Sequence, residues 1–316
     1  MNFRWPVLFV SIAWFSIAAA PPAVSPYIWQ DPGTVEKFDF GGSMGFAVAL
    51  PKPPFVFESE DMSGTQPKIF VHDANGARWN LKFGNEVKPE SFGWRIVKAA
   101  GYFAEPNFYV SQGRIAGLAT LKRSTPSLKA DGSFHDGRFQ WRTKDMRYLN
   151  GQAWSWDRNP YAHSKELNGL KMLVMLVSNY DNKDSRAGQT GGSNTATFEV
   201  TGGRKWLAFT DWGSGMGRWG DLKGQTDWRC SDFDAQSKEF VRVDAGHVRF
   251  GFEGHIPRFA DGITAADIAW LMRFLGRVTD AQLHAGLRAS GATPDEEQCF
   301  ARSLRTRIEA LRAVAH

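Results

Sequence analysis

The sequence predicts an α+β protein with two lobes, a β-rich first part and a mostly helical second part. Short strand patterns separated by Gly, Asn and Asp turn signals occupy much of residues 55–160. From residue 263 onward the chain shows helix start signals and apolar residues at helical spacing. A run of strands followed by a run of helices is typical of α+β proteins. We therefore expect a β-rich N-terminal lobe over 55–160 and a helical C-terminal lobe over 161–316.

Residues 1–25 predict a secretory signal peptide. Arg4 precedes an apolar stretch over residues 7–17 and the small-residue run 18–20. Cleavage between about Ala20 and Ser25 predicts a secreted or periplasmic protein with no membrane partner after cleavage. A membrane-tethered N-terminal helix is the alternative, although its apolar core is short for a span. Residues 26–54, rich in Pro and Gly, predict an extended entry segment.

Three elements are expected early in the first lobe. Strand patterns over 69–72 and 78–83 flank the sequence DANG, which predicts a hairpin turn because Asn-Gly readily adopts positive φ angles. A helix is expected over 89–100, since apolar residues recur there at helical spacing between Pro89 and Gly101.

Helices dominate the second lobe. ELNGLKMLVMLV (166–177) predicts a buried helix, and residues 198–209 predict two strands around the turn TGGRK. Capping-box patterns begin two further helices, one at Thr264 and one at Thr293. The last helix should bury an apolar stripe, and its four arginines are expected on a solvated face: Arg302, Arg305, Arg307 and Arg312.

Composition restricts the partners only loosely. The net charge of +5 favours anionic ligands, but the basic residues are spread along all 316 positions, so no nucleic-acid partner is expected. Cys230 and Cys299 are too few for a zinc site. An oxidising compartment allows a disulfide between them, and the sequence leaves open whether they meet.

Four charged residues form a pattern that points to chemistry. Lys82 lies in an apolar strand, and Glu90 at the start of the next helix, or Glu86 just before it, can pair with it. Asp181 follows the helix 166–177, and Asp211 follows the strand that ends in FT. Phosphoryl transfer needs such a set: a lysine for nucleotide phosphates, a glutamate that holds it, a carboxylate base and a carboxylate metal ligand.

Three short motifs extend this pattern. NYDNKDSR (179–186) follows the form N-x-D-x-x-x-x-N at Asn179 and Asp181, TDWG (210–213) has the form of a DFG metal-binding element, and GTQPK (64–68) precedes the lysine strand. Over residues 55–290 the chain thus resembles the protein-kinase-like superfamily, most closely its HipA-type and phosphatidylinositol-kinase-like branch, as a secreted bacterial family.

The resemblance implies a two-lobed kinase-like fold that binds ATP with Mg²⁺ or Mn²⁺. It implies that Gly64, Lys68 and Lys82 contact the nucleotide. It also implies that Glu90 orients Lys82, that Asp181 is the general base and that Asp211 binds the metal. The phosphate acceptor is not indicated.

One position departs from the family pattern. Arg186 stands where the motif has a second Asn, which holds a second metal in kinases, and an arginine there would repel a cation. Either Asp184 or Asn182 takes over as a metal ligand, or the site works with one metal, or the protein is a degenerate nucleotide-binding pseudokinase.

A function of another class stays open. No G-x-S-x-G, H-E-x-x-H, Walker or Rossmann pattern occurs in the mature chain, which disfavours the common hydrolase and dehydrogenase classes. Five tryptophans instead allow a non-catalytic envelope protein that binds a glycan or a protein partner through an aromatic-rich cleft: Trp154, Trp156, Trp206, Trp212 and Trp219. Core packing is the other interpretation of these residues.

Overall fold

The structure, a computed structural model, describes residues 1, 25–64, 66–141, 146–190, 192–220 and 224–315. The predicted signal peptide lies almost wholly outside the described residues. Within them, the expected α+β architecture is confirmed, with a β-rich lobe followed by a mostly helical one. No helix among the described residues is both long enough and apolar enough to cross a membrane.

The first lobe is a closed five-stranded barrel with one helix packed against it. Its strand order is β1-β2-β3-β5-β4, closed by a short parallel pairing of β1 with β4, and all other pairs are antiparallel. The elements of this lobe are β1 (Phe55–Asp61), β2 (Lys68–His72), β3 (Arg78–Lys82), α1 (Val87–Ala99), β4 (Asn107–Ala116) and β5 (Ser133–Trp141).

Aromatic residues fill the barrel. Alternate positions of the strands point inward, and the rings of Phe55, Trp79 and Phe139 pack with centroids 4.6–6.1 Å apart. Rings of this size bury large apolar areas and pair favourably in tilted or edge-on geometry. The predicted hairpin forms, and the carboxylate of Asp73 accepts the backbone amides of Asn75 and Ala77 in its turn. The barrel is therefore a rigid support for the side chains on its outer and end positions.

Helix α1 connects the two lobes. Trp94 donates its indole N–H to the carbonyl of Asn107 on β4 (2.6 Å), which fixes the helix on the barrel. On another face, a Cβ placed on Gly93 would lie only 2.9 Å from the Cβ of Trp212 in the second lobe. Gly93 thus permits a close approach that a larger residue would prevent.

In the part of the second lobe that the structure describes, there are five α-helices, a small sheet and a hairpin. The strands β6 (Met146–Tyr148), β7 (Thr195–Val200) and β8 (Arg204–Phe209) form the sheet, and β9 (Val241–Asp244) pairs with β10 (His247–Phe250). The helices are α2 (Lys165–Leu176), α3 (Cys230–Ser237), α4 (Ala265–Leu275), α5 (Asp280–Ala289) and α6 (Pro294–Val314). Because β6 pairs with β7, this sheet contains residues from both sides of 160/161, the predicted boundary between the lobes. The position of that boundary stays a prediction.

Local signals set the helix ends as expected. Thr264 and Thr293 each close a capping box with the residue three positions later, and Thr279 does the same at the start of α5. Helix α2 is buried along nearly its whole length, so the apolar run 166–177 was assigned correctly.

One arginine of α6 is not solvated, contrary to the sequence prediction. Arg307 is fully buried, stacks on Phe233 at 3.5 Å and donates to the carbonyl of Leu176 (2.9 Å) and the hydroxyl of Ser178 (2.7 Å). Burial lowers the pKa of its guanidinium. Arg307 therefore ties α6 to the end of α2, directly before the loop that begins at Asn179.

The entry segment 26–54 packs on both lobes rather than standing apart. Tyr27 pairs with Trp206 of β8, and Trp29 donates its indole N–H to the carbonyl of Ala100 (2.8 Å). The side chains of Ile28 and Phe40 are buried in the main core. This segment therefore stabilises the arrangement of the lobes.

Cys230 and Cys299 form a disulfide between α3 and α6, with Cα atoms 6.2 Å apart. The bond joins residues 69 positions apart in sequence. By loop-entropy arithmetic a cross-link of that span adds about 4 kcal/mol to the free energy of unfolding.

Candidate functional site

Three cations form a row across the barrel. In β2, β3 and β5 the register places Lys68 directly opposite Lys82, and Lys82 directly opposite Arg138. Residues opposite each other in antiparallel strands lie on the same face of a sheet, and like charges in such positions repel. Lys82 and Arg138 are also nearly inaccessible to solvent. A row of this kind is unfavourable unless anions face it.

The anions that face the row come from α1 and from the loop after β8. The ammonium Nζ of Lys82 lies 3.2 Å from Oε2 of Glu90 and 3.8 Å from Oδ1 of Asp211, and it also contacts Glu86. Arg138 Nε lies 3.0 Å from the same oxygen of Glu90. The structure thus brings Lys82, Glu90 and Asp211, which are far apart in sequence, into one cluster.

The pKa values in this cluster reflect one cation shared by three carboxylates. Burial disfavours the charged form of Lys82, but Asp211, Glu90 and Glu86 outweigh it and raise its pKa. Burial likewise opposes ionisation of Asp211, yet Lys82 and the amide of Gly213 hold the pKa of that carboxyl below its ordinary value. Burial and the charge of Asp211 raise the pKa of Glu86, so this carboxylate is protonated more readily than an ordinary glutamate.

Lys68 lies at the edge of the row, beside Gly64. Its Nζ lies 3.8 Å from Asp61 and 3.3 Å from the hydroxyl of Ser63, and a Cβ on Gly64 would approach this Nζ to 3.2 Å. Burial, with help from the neighbouring charges of Arg138 and Lys82, lowers the pKa of Lys68. The loop containing Gly64, which has φ +66°, therefore lies against the cation row.

Helix α1 and the TDWG loop meet at Gly213. A Cβ on Gly213 would come within 2.5 Å of the Cβ of Glu86, just before α1 begins. The amide of Gly213 donates to Oδ1 of Asp211 (3.1 Å). This contact holds the Asp211 carboxylate toward Lys82 and leaves its side chain about one-third exposed (33%).

The loop of Asp181 runs beside the loop of Asp211, and among the described residues no ion pair joins the Asp181 carboxylate to the cation row. Asn179, two residues earlier, donates its side-chain amide to the carbonyl of Asp211 (2.7 Å), so the two loops run together. The Asp181 carboxylate pairs with Lys183 Nζ (3.1 Å), and its side chain is 23% exposed. It is held on the second-lobe side of the site, accessible to a ligand.

Asp184, nominated by the sequence as a metal ligand, is committed elsewhere. Its side chain is fully buried, accepts the amide of Trp156 (2.8 Å) and pairs with Arg186 (2.7 Å). Arg186 also pairs with Asp157, so its guanidinium lies between two acids, Asp157 and Asp184. A carboxylate with both oxygens occupied in this way is a structural anchor, and the assignment of Asp184 as a metal ligand is corrected.

Asn182 is committed as well. Its Oδ1 accepts the amide of Ile256 (2.8 Å), and its side chain is fully buried. Neither Asn182 nor Asp184 is therefore placed to bind a second metal ion beside Arg186. These contacts disfavour Asp184 and Asn182 as substitutes for the second Asn of the motif, and they leave both a single-metal site and a pseudokinase open.

The tryptophans do not form an aromatic platform. All five are at most 8% exposed and pack in the interior, with Trp154 against Trp156 and Trp212 against Phe209. A ring that stacks on a sugar needs an open face. The interpretation of these residues as core packing is therefore the correct one, and the glycan-binding cleft made of them is not observed among the described residues.

The sequence did not indicate Arg138 as part of the site, because its role depends on the non-local pairing of β5 with β3. Glu86, which the sequence offered as an alternative to Glu90 as the partner of Lys82, contacts this lysine in addition to Glu90, and it accepts a hydrogen bond from Gln66 (3.2 Å). The alternation of FHDGRFQWR was the available signal for Arg138.

A second group that the sequence did not indicate, Asp227, leads to a pH prediction. Burial, together with the charges of Glu86 and Asp211, raises the pKa of Asp227 to about 6, although the hydroxyl of Tyr180 donates to it (2.8 Å). The unfolded chain loses this proton near the ordinary value of 3.8. The folded state thus binds more protons between these values, and stability falls as pH rises through this range.

We expect Asp227→Asn to be more stable than the parent at pH 8, by about 1–2 kcal/mol after allowance for partial exposure. At pH 4 the two proteins should be equally stable, because Asp227 is then protonated in the folded state. Urea unfolding at both pH values measures this. An equal stability difference at pH 4 and pH 8 would show that Asp227 carries no such charge cost.

The described residues fit a divalent ion only together with phosphates. They contain no group of three His, Cys, Asp or Glu side chains placed to hold a metal alone. Asp211 still offers one carboxylate oxygen with no hydrogen bond from the described residues, and the buried Oδ1 of Asn179 beside it lacks a donor. Mg²⁺ typically binds through one or two carboxylates, several waters and substrate phosphates, so this donor set is compatible with it.

Comparisons with known proteins give distant matches. No family model and no curated protein matches the chain. Among solved structures, a crystal structure of the Golgi casein kinase is 12% identical, with a TM-score of 0.42, over 92% of this chain and 80% of that one. The same kinase with Mn/ADP bound is 11% identical, with a TM-score of 0.33, over 84% and 74%.

These scores are too low to carry an argument about site or function. The function of this chain therefore has to be inferred from its own side chains, and the resemblance to the HipA-type branch stays a prediction.

Proposed function

We propose that the chain is a phosphotransferase that moves the γ-phosphate of ATP to a hydroxyl acceptor. The observation that carries the proposal is the cation row of Lys68, Lys82 and Arg138, faced by Glu90 and Asp211. Oriented cations next to a metal-binding carboxylate can neutralise a triphosphate and the charge that develops on it.

Each residue has a role that its contacts support. Lys82, held by Glu90, binds phosphate oxygens, and Lys68 and Arg138 extend the positive surface on either side. A phosphate that reaches Lys82 displaces Glu86, the carboxylate whose pKa is raised and which is therefore the easiest to protonate or move. Asp211 holds Mg²⁺ or Mn²⁺, which when bound neutralises the phosphate oxygens.

The transfer step uses Asp181 as the base. The acceptor oxygen attacks the γ-phosphorus, the bond from that phosphorus to the bridging oxygen breaks, and ADP leaves with that oxygen. The hydroxyl proton passes to the carboxylate of Asp181. Lys183, 3.1 Å from this carboxylate, orients it and adds positive charge near the reacting group.

We also propose that this activity is exported. The signal-peptide pattern of residues 1–25 and a Cys230–Cys299 pair that lies in bonding position both favour an oxidising compartment. Partners would be the nucleotide and the acceptor. If the protein binds Mn²⁺·ATP but transfers no phosphate, it is a pseudokinase.

A thermal-shift titration with Mn²⁺ and ATP tests nucleotide binding. At a hundredfold excess over Kd, the parent should gain about 4 °C in melting temperature. Lys82→Met should gain none relative to its own nucleotide-free value, because it removes the phosphate partner at the centre of the row.

Lys88→Met is the matched control. It also replaces a partly buried lysine of the first lobe, but the ammonium of Lys88 pairs with Glu296 and not with the cluster, so its shift should equal that of the parent. If the parent shows no shift at millimolar nucleotide, or Lys82→Met shows the full shift, the proposal is wrong.

A further inference from the structure

A cavity of about 400 Å³ lies beyond the last turn of α1, apart from the cation row. Its wall comes from the entry segment, the end of α1, the stretch after it and β8. The residues that define its character are Phe38, Phe46, Lys98, Tyr102, Phe103 and Trp206. None of the residues that make up the phosphotransfer cluster lines it. Its size is in the lower range of pockets that hold small organic ligands.

Lys98 is the notable group in this wall. Its Nζ lies 4.2 Å from the ring centre of Phe46 and 5.6 Å from that of Phe38. Among the described residues, no carboxylate lies within ion-pair distance of this ammonium and no acceptor forms a hydrogen bond with it. Burial alone accounts for the lowered pKa of Lys98, with no acidic neighbour opposing it.

Ring faces attract an ammonium, but they do not accept its three N–H groups as an anion would. Lys98 is partly buried, and partial desolvation of a charge that has no ion-pair partner costs free energy, which a bound anion would recover. Both lysines of the cation row have a carboxylate within 4 Å, whereas Lys98 has none among the described residues.

The wall contains one acid, Asp31, and it does not neutralise Lys98. The Asp31 carboxylate turns back on its own chain and accepts the amide of Gly33 (2.8 Å). The cavity therefore presents one unpaired cation above an aromatic floor.

We propose that this cavity binds a small organic anion, a carboxylate or phosphate monoester carried on a flat apolar ring. Lys98 pairs with the anionic group, and the ring packs against the partly exposed side chains of Phe46 and Phe103. The site is independent of the phosphotransfer proposal, since it shares no residue with that cluster.

Isothermal titration of the full chain with 2-naphthoate tests the proposal without any nucleotide. The neutral 2-naphthamide has the same ring, and it should bind at least tenfold more weakly because it cannot pair with the ammonium. 2-Naphthyl phosphate distinguishes the two anionic classes: tighter binding than 2-naphthoate assigns the site to phosphate monoesters, and weaker binding assigns it to carboxylates.

Variants locate the site. Lys98→Met should weaken 2-naphthoate binding at least tenfold, Lys98→Arg should largely retain it, and Lys82→Met should not change it. Should Lys98→Met fail to fold, the comparison of naphthoate with naphthamide on the parent still decides. Equal binding of 2-naphthoate and 2-naphthamide, no binding of either 2-naphthoate or 2-naphthyl phosphate, or unchanged affinity in a folded Lys98→Met protein would each overturn the proposal.

Discussion

Asp181→Asn should reduce phosphoryl transfer by at least about 100-fold while leaving Mn²⁺·ATP binding unchanged. General-base groups contribute about 10²- to 10⁴-fold to rate, and the amide of Asn cannot take the acceptor proton. Among the described residues, no ion pair or hydrogen bond joins the Asp181 carboxylate to Lys82, Glu90 or Asp211, so the phosphate-binding cluster should survive the change. Phosphate release from ATP, with water as acceptor, measures the rate, and the thermal shift measures binding.

Asp157→Asn is the matched control for this experiment. Asp157 is another acid close to the same loop, where it pairs with Arg186, and its side chain is 52% exposed. Its replacement should leave both rate and binding within twofold of the parent. If Asp181→Asn keeps the parental rate, Asp181 is not the base.

Asp211→Asn should remove the metal-dependent part of nucleotide affinity. Outer groups that only orient a metal ligand already cost 10- to 100-fold in metal affinity when they are lost, so loss of the ligand itself should cost at least about 100-fold. The change also removes one of the three carboxylates around Lys82, and it creates no new metal ligand. Electron paramagnetic resonance of Mn²⁺ with ADP, titrated with protein, reports the bound fraction.

Asp184→Asn separates the two acids that the sequence nominated for the metal. Because Asp184 is fully buried against Arg186 and Trp156, this variant should melt at a lower temperature but retain Mn²⁺ binding in the folded protein at low temperature. A loss of Mn²⁺ binding in folded Asp184→Asn, with retention in Asp211→Asn, would reverse the assignment.

Local patterns were sufficient for much of the fold and for part of the site. A lysine in an apolar strand, followed by a helix with an acid in its first turn, is a pattern that a few neighbouring residues determine. The pairing of Lys82 with Glu90 could therefore be predicted from sequence. Apolar patterns predicted the early strands and the buried helix α2, and short sequence motifs predicted the capping boxes.

Features that depend on non-local packing could not be predicted. Arg138 becomes part of the site only through the β3–β5 register. The errors have the same origin. Arg307 has the spacing of an ordinary surface arginine, but α3 and the end of α2 cover it and supply its hydrogen-bond acceptors. Asp184 lies in a loop with the composition of a metal-binding loop, but Trp156 and Arg186 occupy its carboxylate.

Diffraction from crystals soaked with Mn²⁺ and ADP, recorded with the anomalous signal of manganese, would locate the metal and the nucleotide in a single experiment. We expect a manganese peak at coordination distance from the Asp211 carboxylate, with a phosphate oxygen hydrogen-bonded to Lys82 Nζ and Glu86 moved away from it. Manganese and nucleotide bound elsewhere on the molecule, or Lys82 still in contact with Glu86 in a nucleotide-loaded crystal, would be incompatible with the proposed phosphate site.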